Sequence, residues 1–493
     1  MSYSSPTVSA PTGIYQGIGD TEVNKFLGIR YAKPPTGEAR FKAPQSVDHY
    51  DGAIDATQFG NRSLQAKGME SLFGTYTPPG AESEDCLFLN IYTPANNNEN
   101  AKAQNVKPVL VWIHGGAFVG GSGHEFDASK IVADNDVIVV TVNYRLGIFG
   151  FLNLQRLGAE FKGSANLGIQ DQIASLQWIN KNIAAFGGDA SNVTVWGESA
   201  GACSILALLG APRAEGLFQR AIAFSGYETV NPPIDQLDLV KAHLETDSDT
   251  ECLAKLMAMS AEELAAVQHT LPLSYGVSLD QTVITRPASE AIKEGHAKNI
   301  PIILGNTQSE GPLLTIAFGS AASAIEMFIS LMASTISRDD GSSYLSHLNS
   351  KAADSHPKQR MNQMWQDLFR SSATRVAAAA SSHGAGGWVY NFDVETDHPL
   401  GIAHASEIPF TFNWVSEDNP LCVFHQPTPI NIELASKWSR TLIEFAKSGS
   451  PNGHGLPDWP QYTAEAYQCL RLSQQPAVID NPDGNMLSIY QVK

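Results

Sequence analysis

The residues best placed to do chemistry stand in one short run. Val193 to Leu209, VTVWGESAGACSILALL, joins an apolar β-rich stretch to an Ala/Leu-rich stretch through the turn Gly197-Glu198-Ser199-Ala200-Gly201. This is a G-x-S-x-G pattern. On a strand-to-helix turn of that kind the serine hydroxyl stands at the apex. The glycines are needed because the turn leaves no room for Cβ atoms on either side. A helix that starts at the serine aims backbone N–H groups and a partial positive charge at whatever the hydroxyl attacks. Ser199 is therefore the candidate nucleophile. The pattern alone is a weak signal in a chain of 41 glycines. The strand-like and helix-like flanks supply the context it needs.

A second glycine-rich segment complements the first. Val109 to Ile113 is apolar and β-rich and runs directly into His114-Gly115-Gly116-Ala117-Phe118. Small residues after a buried strand expose backbone N–H groups that can hold a developing oxyanion. Taken alone, the segment is equally an ordinary glycine-rich connection.

Positioning these groups requires a particular framework. Val137 to Val142 reads as a buried strand. From Ile169 to Phe186, apolar residues at 169, 173, 176, 179, 183 and 186 mark one face of a helix. Gly187-Gly188 ends it, the strand before Ser199 follows, and Ala221 to Ser225 is a further strand. This βαβ rhythm predicts a mostly parallel sheet covered on both faces by helices. In such sheets the chemistry lies at the carboxyl ends of the strands, where both His114–Phe118 and Ser199 fall. Further along, Ile300 to Leu304 and Trp388 to Phe392 read as strands and Glu433 to Lys447 as a helix. Residues 228–298 are helical and polar, and about 312–385 read as a helical excursion that would cap the site. Residues 61–85 are polar and rich in Gly and Pro, which predicts a surface loop. No composition break divides the chain, so residues 1–493 are expected to form a single α/β domain.

Composition narrows the partners. Fifty acidic against 32 basic residues give a net charge of −18, which argues against nucleic acid or an anionic membrane surface. No run approaches the roughly 18 apolar residues of a membrane span. The five cysteines (Cys86, Cys203, Cys252, Cys422 and Cys469) are widely spaced, and no His/Cys cluster suggests a metal or cofactor. The first residues, MSYSSPTVSAPTGIYQG, lack a basic and then apolar leader pattern. Together these features predict a cytoplasmic protein with free thiols.

Seven runs resemble the type-B carboxylesterase family, which includes the cholinesterases and some fungal lipases. They are FLGIRYAKPPTGEARF, SEDCLFLNIYTP, VWIHGGAFVGGSG, VNYRLGIFGFL, NLGIQDQIASLQWINKNIAAFGGD, VTVWGESAGA and GIAHASEIPF, in that order from residue 26 to about 412. The resemblance implies an α/β-hydrolase fold and a Ser–Glu–His triad. It carries the nucleophile to Ser199, the acid to Glu310 in NTQSEG, and the base to His404 in GIAHASEIPF. The residues themselves do not choose His404 over His398 or His425; the resemblance does. It maps the oxyanion hole onto the N–H groups of Gly116, Ala117 and Ala200. Glu198 and Ser225 match buried polar neighbours of the triad, and Arg145–Asp171 and Arg40–Glu84 match structural ion pairs. Phe118, Glu198, Leu313 and Phe318 are the candidate substrate contacts, with Leu314, Met327 and Phe328 as further apolar cap residues. Secreted relatives pair the cysteine matching Cys86 with an earlier one. Asn61 to Asp85 contains no cysteine, so that pairing is not available. The same stretch lacks the tryptophan with which cholinesterases hold a quaternary ammonium.

The function implied is hydrolysis of small to medium carboxylic esters through an acyl-enzyme, with no cofactor, by a monomer or weak homodimer. Three alternatives stay open. The acyl group could pass to another acceptor or cyclise. The substrate could be a long-chain lipid. Or the chain could be a non-catalytic binding protein, a class whose members usually lack the serine.

Overall fold

The computed structural model describes residues 5–65, 78–95, 106–271, 274–318, 322–352, 355–416, 424–463 and 465–492. Two compact units emerge. The first is built from residues up to 219 together with 232–285, and the second from 220–231 and 286 onward.

The first unit contains strands β1 (Thr7–Ala10), β2 (Gly13–Gln16), β3 (Ile18–Gly19), β4 (Val23–Arg30), β5 (Ala53–Asp55), β6 (Phe88–Pro94), β7 (Lys107–Ile113), β8 (Ile138–Val142) and β9 (Gly188–Glu198). Its helices are α1 (Ser129–Asp134), α2 (Gly147–Phe151), α3 (Leu167–Asn182), α4 (Ala200–Leu209), α5 (Leu237–His243), α6 (Asp249–Ala258) and α7 (Ala261–Thr270). The strands run β3-β4-β6-β8-β7-β9, while β1, β2 and β5 form a small separate sheet. Pairing is antiparallel from β3 to β8 and parallel from β8 through β7 to β9. Val109 to Ile113 on β7 are at most 1% exposed, and all of β8 is buried. Continuous apolar runs are what a parallel strand covered on both faces requires. Each such side chain contributes about 1.5–3 kcal/mol on burial. Helix α3 buries the face anticipated at 169, 173, 176 and 179, tightens into a 3₁₀ turn over Ile183–Phe186, and ends at Gly187 with φ 87°. A left-handed residue at that point is a common helix stop.

The second unit contains β10 (Arg220–Phe224), β11 (Ile302–Thr307), β12 (Gly387–Phe392), β13 (Gln468–Leu472) and β14 (Ala477–Asp480) in that spatial order. The first four are parallel, and β14 turns back antiparallel. Its helices are α8 (Ala288–Lys293), α9 (Gly311–Phe318), α10 (Ala322–Ser337), α11 (Ser342–Ala352), α12 (Pro357–His383), α13 (Ile408–Thr411), α14 (Pro429–Ser448) and α15 (Met486–Ile489). Strands β13 and β14 escaped sequence reading. Gln468–Leu472 is a short run in which Gln468 and Arg471 break the apolar pattern, and Ala477–Asp480 is only half-buried. Helix α14 has the ends its residues dictate: Thr428 caps it by accepting from Asn431 N, Pro429 occupies its first position, and Gly449 stops it at φ 84°.

Of the expected surface loop, residues 66–77 lie outside the described residues. Its described ends are tied down: Arg62 bridges to Glu82 and accepts from Ser83 N, and Ser63 and Leu64 are buried. Four described cysteines, Cys86, Cys203, Cys252 and Cys469, are free and buried; Cys422 lies outside the described residues. Among the described residues no helix is long and apolar enough to cross a membrane.

Both anticipated ion pairs are present. Arg40 bonds Glu84 through two contacts of 2.6 and 2.7 Å and also donates to three carbonyls around the end of α6. Arg145, 2% exposed, bonds Asp171, fully buried, at 2.7 and 2.8 Å. Removing one member of a buried pair strands the other charge in a low-dielectric interior. Asp171→Ala is therefore expected to lower unfolding free energy by about 3–5 kcal/mol, read from urea unfolding of the variant beside wild type. A loss below about 1 kcal/mol, the range of exposed pairs, would show that Arg145 finds another partner.

Candidate active site

The candidate residues form two groups, one in each unit. In the first unit, β9 runs into α4 through Ser199, which sits at φ 56°, ψ −121°. This conformation is costly for any residue with a Cβ and persists only where the surroundings enforce it. The enforcing contacts are visible at the flanking glycines. A Cβ on Gly197 would lie 2.4 Å from the Ile113 carbonyl oxygen, and one on Gly201 would lie 2.0 Å from it. Both sites therefore admit only hydrogen. The turn delivers Ala200 to the first position of α4, whose N–H points out of the helix start.

The segment after β7 is equally constrained. Gly116 has φ 106°, and Ala117 and Phe118 follow at 54° and 61°. A Cβ on Gly116 would lie 2.2 Å from the Gly120 carbonyl oxygen, and one on Gly115 would lie 2.8 Å from Glu198 Oε2. The loop is fastened by Val119 N and Gly120 N donating to the Gly116 carbonyl and by Gly147 N donating to the Phe118 carbonyl. His114 stacks on Tyr144 with centroids 4.5 Å apart, and the Tyr144 hydroxyl donates to the His114 carbonyl. Burial pushes the His114 imidazole down to about 4, so it is a neutral spacer near pH 7. Phe118 is buried against Phe151, 4.9 Å between centroids. Glu198 is 2% exposed at the end of β9.

In the second unit, Glu310 follows β11 and His404 follows β12, and the structure brings them together. His404 Nδ1 lies 2.5 Å from Glu310 Oε2. Glu310 Oε1 accepts from Thr307 N and from Ser225 Oγ, each at 2.6 Å. Gln366 on α12 braces the same turn, accepting from Glu310 N and donating to the Thr307 carbonyl. The two loops are joined by Ser309 N donating to the Ile402 carbonyl. Glu310 is fully buried and His404 only 3% exposed. The imidazole lies flat on Phe369, centroids 5.3 Å apart and planes 10° apart, and Trp365 and Phe328 continue the aromatic stack. His398 and His425 are not the partners of Glu310. His398 packs edge-on to Phe424. His425 packs on Phe392 and Phe410, where burial lowers its pKa to about 4.

Leu313 is 8% exposed and packs with Ala403 and Phe424. The side chain of Phe318 lies outside the described residues. Met327 is 72% exposed, so that cap residue faces outward. Among the described residues no group of three His, Cys, Asp or Glu side chains is arranged to hold a metal. Sequence reading missed Gln366, Phe369, Tyr390 and Glu407. Glu407 stood in view three residues after His404, but no local pattern marks a carboxyl that will be buried beside another.

Comparison with known proteins agrees with this architecture. The model of the carboxylesterase family matches residues 4–489. The chain is 36% identical to the para-nitrobenzyl esterase of Bacillus subtilis over 97% of its length and 96% of that protein, and 30% identical to a human cocaine esterase over 92% and 84%. Among solved structures, a PNB esterase superposes with a TM-score of 0.85 at 33% identity, covering 99% of each chain. A carboxylesterase of Geobacillus stearothermophilus gives 0.83 at 34%, covering 98% of this chain and all of that one. The fold is thus the α/β-hydrolase fold, and the chain belongs to the carboxylesterase family and is a carboxylesterase.

Proposed function

We propose that Ser199, His404 and Glu310 act as one triad that hydrolyses small to medium carboxylic esters through an acyl-enzyme. The observation that carries this reading is the 2.5 Å contact of His404 Nδ1 with Glu310 Oε2. With Nδ1 committed to the carboxylate, Nε2 is the nitrogen that takes a hydroxyl proton. The strained turn at Ser199 supports the nucleophile's part.

The steps follow. Ser199 Oγ attacks the ester carbonyl carbon while His404 Nε2 accepts its proton. Glu310 holds the ring orientation and balances the imidazolium. Negative charge gathers on the former carbonyl oxygen, to which Gly116, Ala117 and Ala200 offer backbone N–H groups. As the tetrahedral species collapses, the proton passes from Nε2 to the departing alkoxide. Water then repeats the sequence on the acyl-enzyme and releases the acid. In this reading Phe118, Glu198 and Leu313 contact the substrate and α9–α12 cover the site. The free thiols of Cys86, Cys203, Cys252 and Cys469 support a reducing, cytoplasmic setting.

Three outcomes are expected. Wild type releases p-nitrophenol from the acetate and butyrate esters faster than from the palmitate, and one equivalent of an organophosphate stops it. Ser199→Ala lowers kcat by about 10⁴-fold or more while unfolding at the wild-type temperature. A folded Ser199→Ala that keeps wild-type turnover would end the proposal. Gly116→Ala forces the loop away from Gly120 and should lower kcat by about 10²–10³-fold, the value of one oxyanion donor. A change confined to KM would remove Gly116 from that role.

A further inference from the structure

A second carboxyl lies beside the Glu310–His404 pair. Glu407, fully buried just before α13, places Oε1 3.3 Å from Ser225 Oγ and 3.1 Å from the Tyr390 hydroxyl. Ser225 is itself fully buried and reaches Glu310 Oε1 at 2.6 Å. One serine hydroxyl thus stands between two carboxyls, and a hydroxyl has one proton to give. The two distances decide where it goes: the short contact is the donated one, toward Glu310. The contact with Glu407 is then satisfied only if the proton lies on the Glu407 side, with Ser225 Oγ accepting.

We propose that Glu407 works as a neutral carboxylic acid that donates to Ser225, fixes the Ser225 proton on Glu310, and so acts as a positioning residue for His404. The proposal rests on the reading of Glu310 and His404 as acid and base given above. The donor count agrees with it. Among the described residues Glu310 receives the Thr307 N–H, the Ser225 hydroxyl and the imidazole, whereas Glu407 receives only the Tyr390 hydroxyl and its own backbone N–H. Two carboxyls in one buried site cannot both ionise cheaply, and the one with more donors keeps the charge. The titratable groups facing Glu407 are Glu310 after β11, Tyr390 on β12 and His404 on its own loop. Among the described residues no lysine or arginine pairs with it. Burial first, and the Glu310 charge second, push the Glu407 carboxyl up from 4.5 to about 7.

A neutral acid has consequences that a spectator lacks. Below about pH 7 the chain Glu407–Ser225–Glu310–His404 is intact. Above it, Glu407 becomes an anion, competes for the Ser225 proton and adds charge beside Glu310. Wild-type kcat should therefore show a descending step at or above pH 7 that Glu407→Gln, which cannot ionise, lacks. Glu407→Ala, with no donor, should lose about tenfold or more in kcat at pH 6 with KM little changed. Glu407→Gln, which keeps an N–H donor, should lose much less.

Stability gives a readout free of turnover. A carboxyl whose folded pKa is raised leaves the native state progressively disfavoured as pH climbs from the unfolded value, 4.5, to the folded one, about 7. The melting temperature of Glu407→Gln minus that of wild type should rise across that window and then level. This difference is measurable whether or not the triad reading holds, and organophosphate labelling of Ser199 tests that reading separately. A difference that stays flat with pH would overturn the proposal. So would a Glu407→Gln as impaired as Glu407→Ala at pH 6, since the charge rather than the proton would then be needed.

Discussion

Everything around Ser199 depends on how closely one carbonyl can approach a turn. The Ile113 oxygen at the end of β7 occupies the space where Cβ atoms of Gly197 and Gly201 would stand, so β7, β9 and the start of α4 meet with almost nothing between them. That closeness holds Ser199 at a positive φ without help from its own side chain. The same end of β7 opens into the His114–Phe118 loop, where Gly115 and Gly116 are again pressed against neighbouring atoms. Strain and close packing at these positions share one origin: β7, β9 and the start of α4 approach so closely that backbone atoms fill the space a Cβ would need.

The second unit multiplies a demand that the first meets at Arg145–Asp171. It buries carboxyls and arginines and must give each a partner. Glu228 is fully buried and is matched by Arg375 and Arg338, with Ser289 donating to it. Asp367 is held by the hydroxyls of Tyr344 and Tyr490, and Arg370 pairs with Asp483. Helix α12 carries Asp367, Arg370 and Arg375 as well as Gln366 and Phe369, so the side chains that brace the Glu310 loop and stack on His404 share a rigid element with the main buried ion pairs. Packing of that helix and the orientation of the His404 imidazole are thereby linked.

Legibility in the sequence followed distance along the chain. The strands at 109–113, 138–142 and 193–196 were plain because full burial leaves runs dominated by Val, Ile, Leu and Trp. The helix at 167–182 was plain because its buried face repeats every three to four residues. Strands β13 and β14 were not: Gln468 and Arg471 interrupt the apolar pattern of the first, and the second lies at the sheet edge, where its residues are only half-buried. Of the site, Ser199 and the glycine loop could be read from local pattern. Glu310 and His404 came through family resemblance, since nothing near either residue distinguishes it from other acids and histidines in the chain.

What the sequence determined by itself was the local backbone: glycines where no Cβ fits, a proline and threonine at the start of α14, and apolar runs where strands would be covered on both sides. Those are properties of residues and their immediate neighbours. Tertiary structure alone decided which histidine faces Glu310, that Ser225 lies between Glu310 and Glu407, and that Phe369 supports the imidazole from a helix 35 residues earlier in the chain. Hydrogen bonds and ring contacts between side chains act over a few ångströms of space, and only folding brings residues 225, 310, 369, 404 and 407 within that range.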